Sequence, residues 1–169
     1  MKWLRGAAFA QVLLTAYWIL VTCVPLGAWN RQPGSEPILV SLRNGKLNTG
    51  AVTFFGSFLV PGALFLLGYI RAIPWLMWIA VIFDSVWLGL QFKGWWVPYI
   101  FGASEKWRET YVRVFSDSYR FLPTFGNHLA PDAMHFLLQF LLLIAIATGA
   151  IGLVKSSRTK DRAVTKSRG

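Results

Sequence analysis

Cysteine is nearly absent from this chain, and several enzyme signatures are missing altogether. The single cysteine, Cys23, has no partner for an internal disulfide and excludes a paired-cysteine redox centre within the chain. The sequence also lacks a phosphate-binding glycine loop, a GxSxG nucleophile motif and a zinc-binding HExxH motif. No common reaction class is therefore indicated by motif.

Charged residues are scarce as well, at 14% of the 169 residues, whereas a soluble domain carries about 25%. Hydrophobic residues make up 55% of the chain, and the mean hydropathy is +0.48. The formal net charge is +10, but six of the seventeen basic residues lie in the last fifteen positions, directly after an apolar run. That placement is typical of a membrane topology signal and a contact with anionic lipids, so nucleic acid is not predicted as a partner.

Four apolar runs, at residues 6–29, 51–70, 74–92 and 132–154, are about long enough to cross a hydrocarbon core of roughly 30 Å. The first run is too long for a signal-peptide core and no cleavage site follows it, so it is predicted to be a retained span. We therefore predict an all-α integral membrane protein, an antiparallel bundle of four transmembrane helices. Residues 1–154 form its single domain, and residues 155–169 form a basic cytoplasmic tail expected to be disordered.

The connecting segments suggest two further elements. Residues 38–48 carry Asn-Gly between two short β-prone runs, which predicts a small β-hairpin. Residues 105–115 follow Ser104, a good helix cap, and place most apolar side chains on one face. They predict a short amphipathic helix within the long loop 93–130. A solvated helix without membrane contact is the alternative for this segment.

The distribution of charge predicts the orientation. The side carrying both termini has nine bases and one acid, whereas the two long loops on the other side have eight bases and five acids. By the positive-inside rule both termini are cytoplasmic, in what we expect to be a bacterial inner membrane. The long loop 93–130 is then extracytoplasmic.

Asp84 is the one ionisable residue inside the third run. A charge at the bilayer centre costs about 2.5–3.5 kcal/mol on insertion scales, so the side chain is expected to face protein or water. Other polar residues lie in the predicted outer halves of the spans, which suggests an outward-facing pocket floored by Asp84. The candidate ligand-binding residues are Asp84, Gln91, Asp132, His135, Gln139 and Ser57. The alternatives for Asp84 are a purely structural hydrogen bond and a proton- or cation-linked role.

His128, Asp132 and His135 form the one cluster with metal-binding potential. His128 precedes Pro131 and therefore lies outside the predicted helix, and Asp132 suits the first helical turn for electrostatic reasons. A structural or ligand-contacting polar patch is favoured, no cofactor is predicted, and zinc or iron remains the alternative. Catalytic residues are not assigned.

Three functions are compatible with these features. The first is a non-enzymatic binding or accessory protein, holding a lipid-like or small amphipathic ligand or serving as a subunit of a larger membrane complex. The second is a membrane-embedded enzyme acting on a lipid or quinone through Asp84, Asp132 and His135. The third is a small proton- or cation-coupled transporter that works as a dimer. Membrane lipids are partners in each case, and a homo-oligomer is compatible with all three.

Overall fold

The computed structural model describes residues 2–30, 38–45 and 49–167, and every regular element within them is helical. An isolated bridge between Phe125 and His128 is the one extended pairing in these ranges. The prediction of an all-α chain is therefore confirmed for the described residues. The elements are α1 (Lys2–Cys23), a 3-10 turn (Gly27–Trp29), α2 (Ile38–Arg43), α3 (Thr49–Ile70), α4 (Pro74–Phe101), α5 (Glu105–Phe115) and α6 (Ala133–Ser167).

Within the described part of the chain, three helical stretches are long and apolar enough to cross a membrane. They are α1, α4 and the Ala133–Ser157 part of α6. The apolar stretch described in α3, Gly56–Ile70, is shorter and is not one of the three. These lengths support the prediction of a membrane protein, because each of the three stretches exceeds the ~20 residues that a bilayer core requires.

The first predicted span, residues 6–29, differs from α1 at both ends. The helix begins at Lys2 and stops at Cys23, two residues before Pro25, because proline disfavours a helical conformation in the residue that precedes it. Asn30 then caps the released backbone. Its side-chain nitrogen donates to the carbonyl oxygens of Val21 (2.8 Å) and Val24 (2.7 Å), and its side-chain oxygen accepts from Leu26 N (2.8 Å).

The predicted β-hairpin at residues 38–48 is wrong over its described part. Ile38–Arg43 forms α2, a single turn and a half of helix, and residues 46–48 lie outside the described residues. Gly45 has φ +67° and its amide donates to Leu42 O at 3.1 Å. A glycine in this left-handed conformation terminates helices as readily as it closes hairpins. The Asn-Gly pair here is a helix stop.

The remaining helices agree with the predictions at some boundaries and not at others. α5 has the predicted bounds, and Ser104 caps it by accepting from Trp107 N at 3.3 Å. α4 begins at Pro74 as expected, but it continues nine residues past the predicted end at residue 92 and includes Pro98. α6 continues through Ser167. The expectation of a disordered tail is therefore wrong for residues 155–167.

Four long helices form the packed interior. α1 and α4 each contact both α3 and α6. One buried cluster lies between α1 and α6 and includes Leu14, Trp18, Leu138 and Leu142. A second joins all four of these helices through side chains that include Ala7, Phe65, Met77 and Leu153. A third joins α4 to α5 through Trp95, Tyr111 and Leu129. The third cluster positions the candidate site.

Candidate functional site

The predicted pocket residues separate into two places. Asp132, His135 and Gln139 lie where α6 begins, against Trp95 and Trp96 of α4, and Gln91 lies one helical turn before Trp95. Asp84 lies seven residues below Gln91 on α4, about 10 Å along the helix axis, and lines a different cavity. Ser57, on α3, is exposed. The structure therefore does not join Asp84 to the other candidates in one pocket.

Asp132 and His135 are in direct contact at the start of α6. The Asp132 carboxylate oxygen Oδ1 accepts from the His135 backbone amide at 2.8 Å and lies 2.7 Å from Nδ1 of the His135 ring. The first of these bonds is a helix cap, which satisfies one of the free amides of the first turn. Asp132 is completely buried, and its second oxygen, Oδ2, has no hydrogen-bond partner among the described residues.

Aromatic side chains surround this pair on the α4 and α5 sides. The Trp95 ring lies 4.2 Å from the His135 ring, and the Phe115 ring meets His135 edge-on at 5.6 Å. α5 presents Trp107, Tyr111 and Phe115 on one face because their spacing of four residues is close to the helical repeat. Apolar rings thus exclude much of the water from the Asp132–His135 pair.

Tyr111 ties α5 to the loop that precedes α6. Its hydroxyl donates to the carbonyl oxygen of Ala130 at 2.7 Å. Burial raises the pKa of the Tyr111 phenol above its usual value, and the positive charge of Arg120 opposes that shift. Arg120 lies over the Tyr111 ring at 5.2 Å from the ring centre. The charges of Arg120 and Asp132 therefore act on the same phenol from nearby positions.

Arg120 also organises the turn after α5. One of its terminal nitrogens, Nη2, donates to the carbonyl oxygens of Phe115 (2.7 Å) and Ser116 (2.8 Å). Its Nε is buried and makes no hydrogen bond within the described residues. A guanidinium with a free N–H and a carboxylate with a free oxygen can bind complementary groups of opposite charge.

Several more buried polar atoms at this end lack partners among the described residues. We call the group that carries them the α5–α6 site: Gln91 (Oε1), Trp107 (Nε1), Arg120 (Nε), Asp132 (Oδ2) and Gln139 (Nε2), together with His135. The other end of the Gln139 amide is paired, since its oxygen accepts from Trp96 Nε1 at 2.6 Å. Buried polar atoms are normally satisfied, so a concentration of exceptions suggests an additional binding partner.

Four of the six residues of this site, Gln91, Asp132, His135 and Gln139, were predicted from the sequence. Asp132, His135 and Gln139 share one face of α6, and that periodicity is visible without a structure. Trp107 was recognised as part of an amphipathic face, but its contact with the site depends on how α5 folds back onto α4. Arg120 was missed, because it lies in an irregular connection without any periodic signal.

His128, a candidate metal ligand, points elsewhere. Its Nδ1 lies 2.9 Å from the carbonyl oxygen of Tyr99, and its backbone pairs with Phe125. Within the ranges that the structure describes, no group of three or more His, Cys, Asp or Glu side chains is arranged to hold a metal ion. The Asp132–His135 pair is thus two ligands without a third.

An aromatic surface adjoins the α5–α6 site on its exposed side. We call it the aromatic belt: Trp96, Tyr99, Phe121 and Phe136. Trp96 contacts Phe136 at 6.2 Å and Phe136 contacts Phe121 at 5.9 Å. Phe121 and Phe136 are 55% and 41% exposed, so this surface is available to an apolar neighbour.

Two cavities lie away from this end. A cavity of about 10 Å³ between α1, α3 and α4 is lined by Asp84, Gln11 and Thr15 together with aromatic side chains. A groove of about 350 Å³ lies between α4 and α6, nearer the start of α4, and its lining is almost entirely apolar: Trp78, Val81, Ala150, Leu153, Val154 and Ser157.

Comparisons with protein-family models, with curated proteins and with solved structures found no match to this chain.

Proposed function

We propose that this chain is a four-span integral membrane protein that binds a lipid-like ligand at the α5–α6 site and does no chemistry on it. α3 is the fourth span, all four spans are antiparallel, and both termini are cytoplasmic in a bacterial inner membrane. The α5–α6 site then faces the extracytoplasmic side. The observation that carries the proposal is the concentration, at this end, of buried polar atoms that have no partner among the described residues.

Ring and side-chain contacts support the antiparallel arrangement. Phe58 stacks on Trp87 at 4.1 Å and Phe65 contacts Phe83 at 5.4 Å, so residue numbers rise along α3 as they fall along α4. A Cβ atom on Gly68 would lie 2.7 Å from Leu76 Cβ, which reflects how closely the two helices approach after their short turn. Ala72 adopts φ +53° within that turn.

The charges of the site favour a zwitterionic headgroup. Asp132 offers a buried carboxylate oxygen to an ammonium group, and the free Arg120 N–H suits a phosphate oxygen. Arg120 lies over the Tyr111 ring, and the Tyr111 hydroxyl donates to the carbonyl oxygen of Ala130, two residues before Asp132, so both charged groups lie near Tyr111. The aromatic belt beside them is the kind of surface that lies at a membrane interface, where lipid headgroups meet their acyl chains. A phosphatidylethanolamine headgroup combines these features.

Native mass spectrometry of the delipidated protein tests this proposal with three lipids of identical acyl chains. We expect phosphatidylethanolamine to bind about tenfold more tightly than phosphatidylcholine, which has no N–H donor, and than phosphatidylglycerol, which has no cation. A hydrogen bond to a charged group contributes about 1.5–3 kcal/mol, which is at least a factor of ten. Asp132→Asn should abolish the preference.

The variant has a matched control. Asparagine caps a helix about as well as aspartate, so Asp132→Asn keeps the cap of α6 and removes the charge. Asp117→Asn makes the same chemical change at an exposed position on the same side and should leave lipid binding unaltered. Equal binding of the three lipids, or a preference that survives Asp132→Asn, would contradict the proposal.

A second candidate is a membrane-embedded enzyme acting on a lipid or quinone. It is favoured by the contact between His135 Nδ1 and Asp132, because a ring nitrogen held by a carboxylate leaves Nε2 to exchange a proton with a substrate. Asp84 cannot assist there without moving, since it lines another cavity. Stoichiometric zinc or iron in the purified protein that disappears in His135→Ala would favour this candidate.

The transporter hypothesis and the larger-complex hypothesis stay predictions. Asp84 is 1% exposed within a single chain, so a dimer would reach it only after the helices rearrange. Proton-coupled uptake into vesicles containing the pure protein is the measurement that would favour a transporter.

A further inference from the structure

The Asp84 cavity combines two buried oxygen atoms that lack partners. Asp84 is 1% exposed and Gln11 is 3% exposed. The Asp84 oxygen Oδ2 and the Gln11 oxygen Oε1 make no hydrogen bond in the described part of the chain, and both side chains line the same cavity. Two unpaired acceptors at one small cavity are a costly arrangement unless a donor or a cation lies between them.

A third oxygen ligand comes from Thr15, one turn after Gln11 on α1. Its side chain also lines the cavity, and it is held against α3 at Gly62, where an added Cβ would lie 2.8 Å from Thr15 Oγ1. Gly62 therefore lets α3 approach α1 closely enough to enclose the hydroxyl. Carboxylate, amide and hydroxyl oxygens are ligands that suit hard cations and not soft transition metals.

The size and charge of the cavity restrict the occupant further. Its volume of about 10 Å³ corresponds to one water-sized sphere. The remaining lining residues are uncharged: Leu14, Gly62 and the aromatic residues Trp18, Phe58, Phe65, Phe83 and Trp87. One carboxylate is balanced by one monovalent cation, whereas a divalent cation would leave a net buried charge.

We propose that this cavity binds a single sodium ion through oxygen atoms of Asp84, Gln11 and Thr15. The site lies ten residues into α4, about 15 Å from the start of that helix and therefore near its middle. It is distinct from the α5–α6 site and does not depend on lipid binding there. In this assignment the ion contacts α1 and α4 directly, and it links two helices that both pack against α3 and α6.

Thermal unfolding of the purified protein in detergent tests the assignment. NaCl, KCl and choline chloride are compared at constant ionic strength. A ligand that binds the folded state alone raises its stability by mass action, so Tm should rise by several degrees with Na⁺ and reach saturation. The larger K⁺ should raise Tm less, and choline should have no effect.

Two variants locate the ion. Asp84→Asn keeps the shape of the side chain and should abolish the Na⁺ response, whereas Asp117→Asn, at an exposed position, should retain it. Thr15→Val keeps the branched shape, removes one oxygen ligand and should raise the half-saturating Na⁺ concentration about tenfold. This variant also serves if Asp84→Asn does not fold.

Three outcomes would overturn the proposal. Equal Tm values in the three salts would indicate that a water molecule or a proton fills the cavity. A Na⁺ response that survives Asp84→Asn would place the ion elsewhere. An unchanged half-saturating concentration in Thr15→Val would remove the hydroxyl from the ligand set.

Discussion

Single residues hold this structure together where helices end, and Asn30 is the clearest example. Its side chain makes three hydrogen bonds to the backbone around the end of α1, and it is 8% exposed. The chain must turn sharply here, because Pro25 ends the helix and leaves carbonyl groups without partners. This position needs a side chain with two N–H donors and one acceptor. The amide side chains of asparagine and glutamine supply this combination.

Asn30→Ala should therefore destabilise the protein. The change removes three hydrogen bonds and leaves buried backbone groups unpaired, which costs about 2–3 kcal/mol. Thermal unfolding followed by circular dichroism should record a Tm several degrees lower. Asn44→Ala is the matched control, since Asn44 is exposed and its side chain makes no hydrogen bond to the residues that the structure describes. Equal Tm values for the two variants would show that the cap contributes nothing.

At the scale of residues, sequence reasoning found what is periodic and missed what is not. Asp132 and His135 were expected on one face because they are three positions apart, and the structure brings them into contact. Gln11 was not among the predicted site residues, because the approach of α1 to Asp84 depends on packing between distant parts of the chain. Arg120 reaches the site through an irregular turn. Neither contact has a local signature.

Among the helices and connections, a sequence pattern predicted the correct structure where one local rule was sufficient to determine it. α5 was predicted with its observed bounds, because Ser104 caps its start and its apolar spacing fits a helix and not a strand. The segment at residues 38–43 failed because its Asn-Gly pair is compatible with both a hairpin and a helix stop. α4 was predicted too short, because the apolar run that defined it stops before Lys93, whereas the helix continues to Phe101.

Close packing between elements gives a second stability prediction. A Cβ atom added at Gly149 of α6 would contact the Tyr69 hydroxyl and lie 2.9 Å from Val81 Cγ2, and Tyr69 is 2% exposed. Gly149→Ala should therefore push α6 away from α3 and α4, at a cost of about 1–3 kcal/mol, and lower Tm.

Gly89→Ala is the control for that experiment. Gly89 lies in α4 and is exposed, and an added Cβ would meet nothing within 4 Å. Alanine also favours a helix over glycine by about 0.5–1 kcal/mol, so this variant should match or exceed the wild-type Tm. If Gly149→Ala were as stable as Gly89→Ala, the close approach of α6 to Tyr69 would not be a packing constraint.

At the scale of the whole molecule, the polar interior is divided between two levels. The α5–α6 site lies at one end, beneath an amphipathic helix, and the Asp84 cavity lies near the middle of α4, enclosed by aromatic rings. The sequence suggested a single pocket because the other polar residues were assigned to the outer halves of the spans, with Asp84 as the floor beneath them. The depth of a residue along a helix can be estimated from its number. The neighbouring helix that its side chain faces depends on how the helices pack. Asp84 faces α1 and α3, whereas Asp132 and His135 face α4 and α5.

The proposed topology makes the last prediction, and the single cysteine makes it straightforward to test. In a Cys23→Ser background, cysteine is introduced at Arg71 in the turn between α3 and α4, or at Ser116 after α5; both positions are exposed. A membrane-impermeant maleimide should label Ser116→Cys in intact spheroplasts and label Arg71→Cys only after lysis.

The labelling of these two positions distinguishes a four-span topology from a three-span topology. If α3 did not cross the membrane while the amino terminus stayed cytoplasmic, Arg71 would lie outside and Ser116 inside. The labelling pattern would then be reversed.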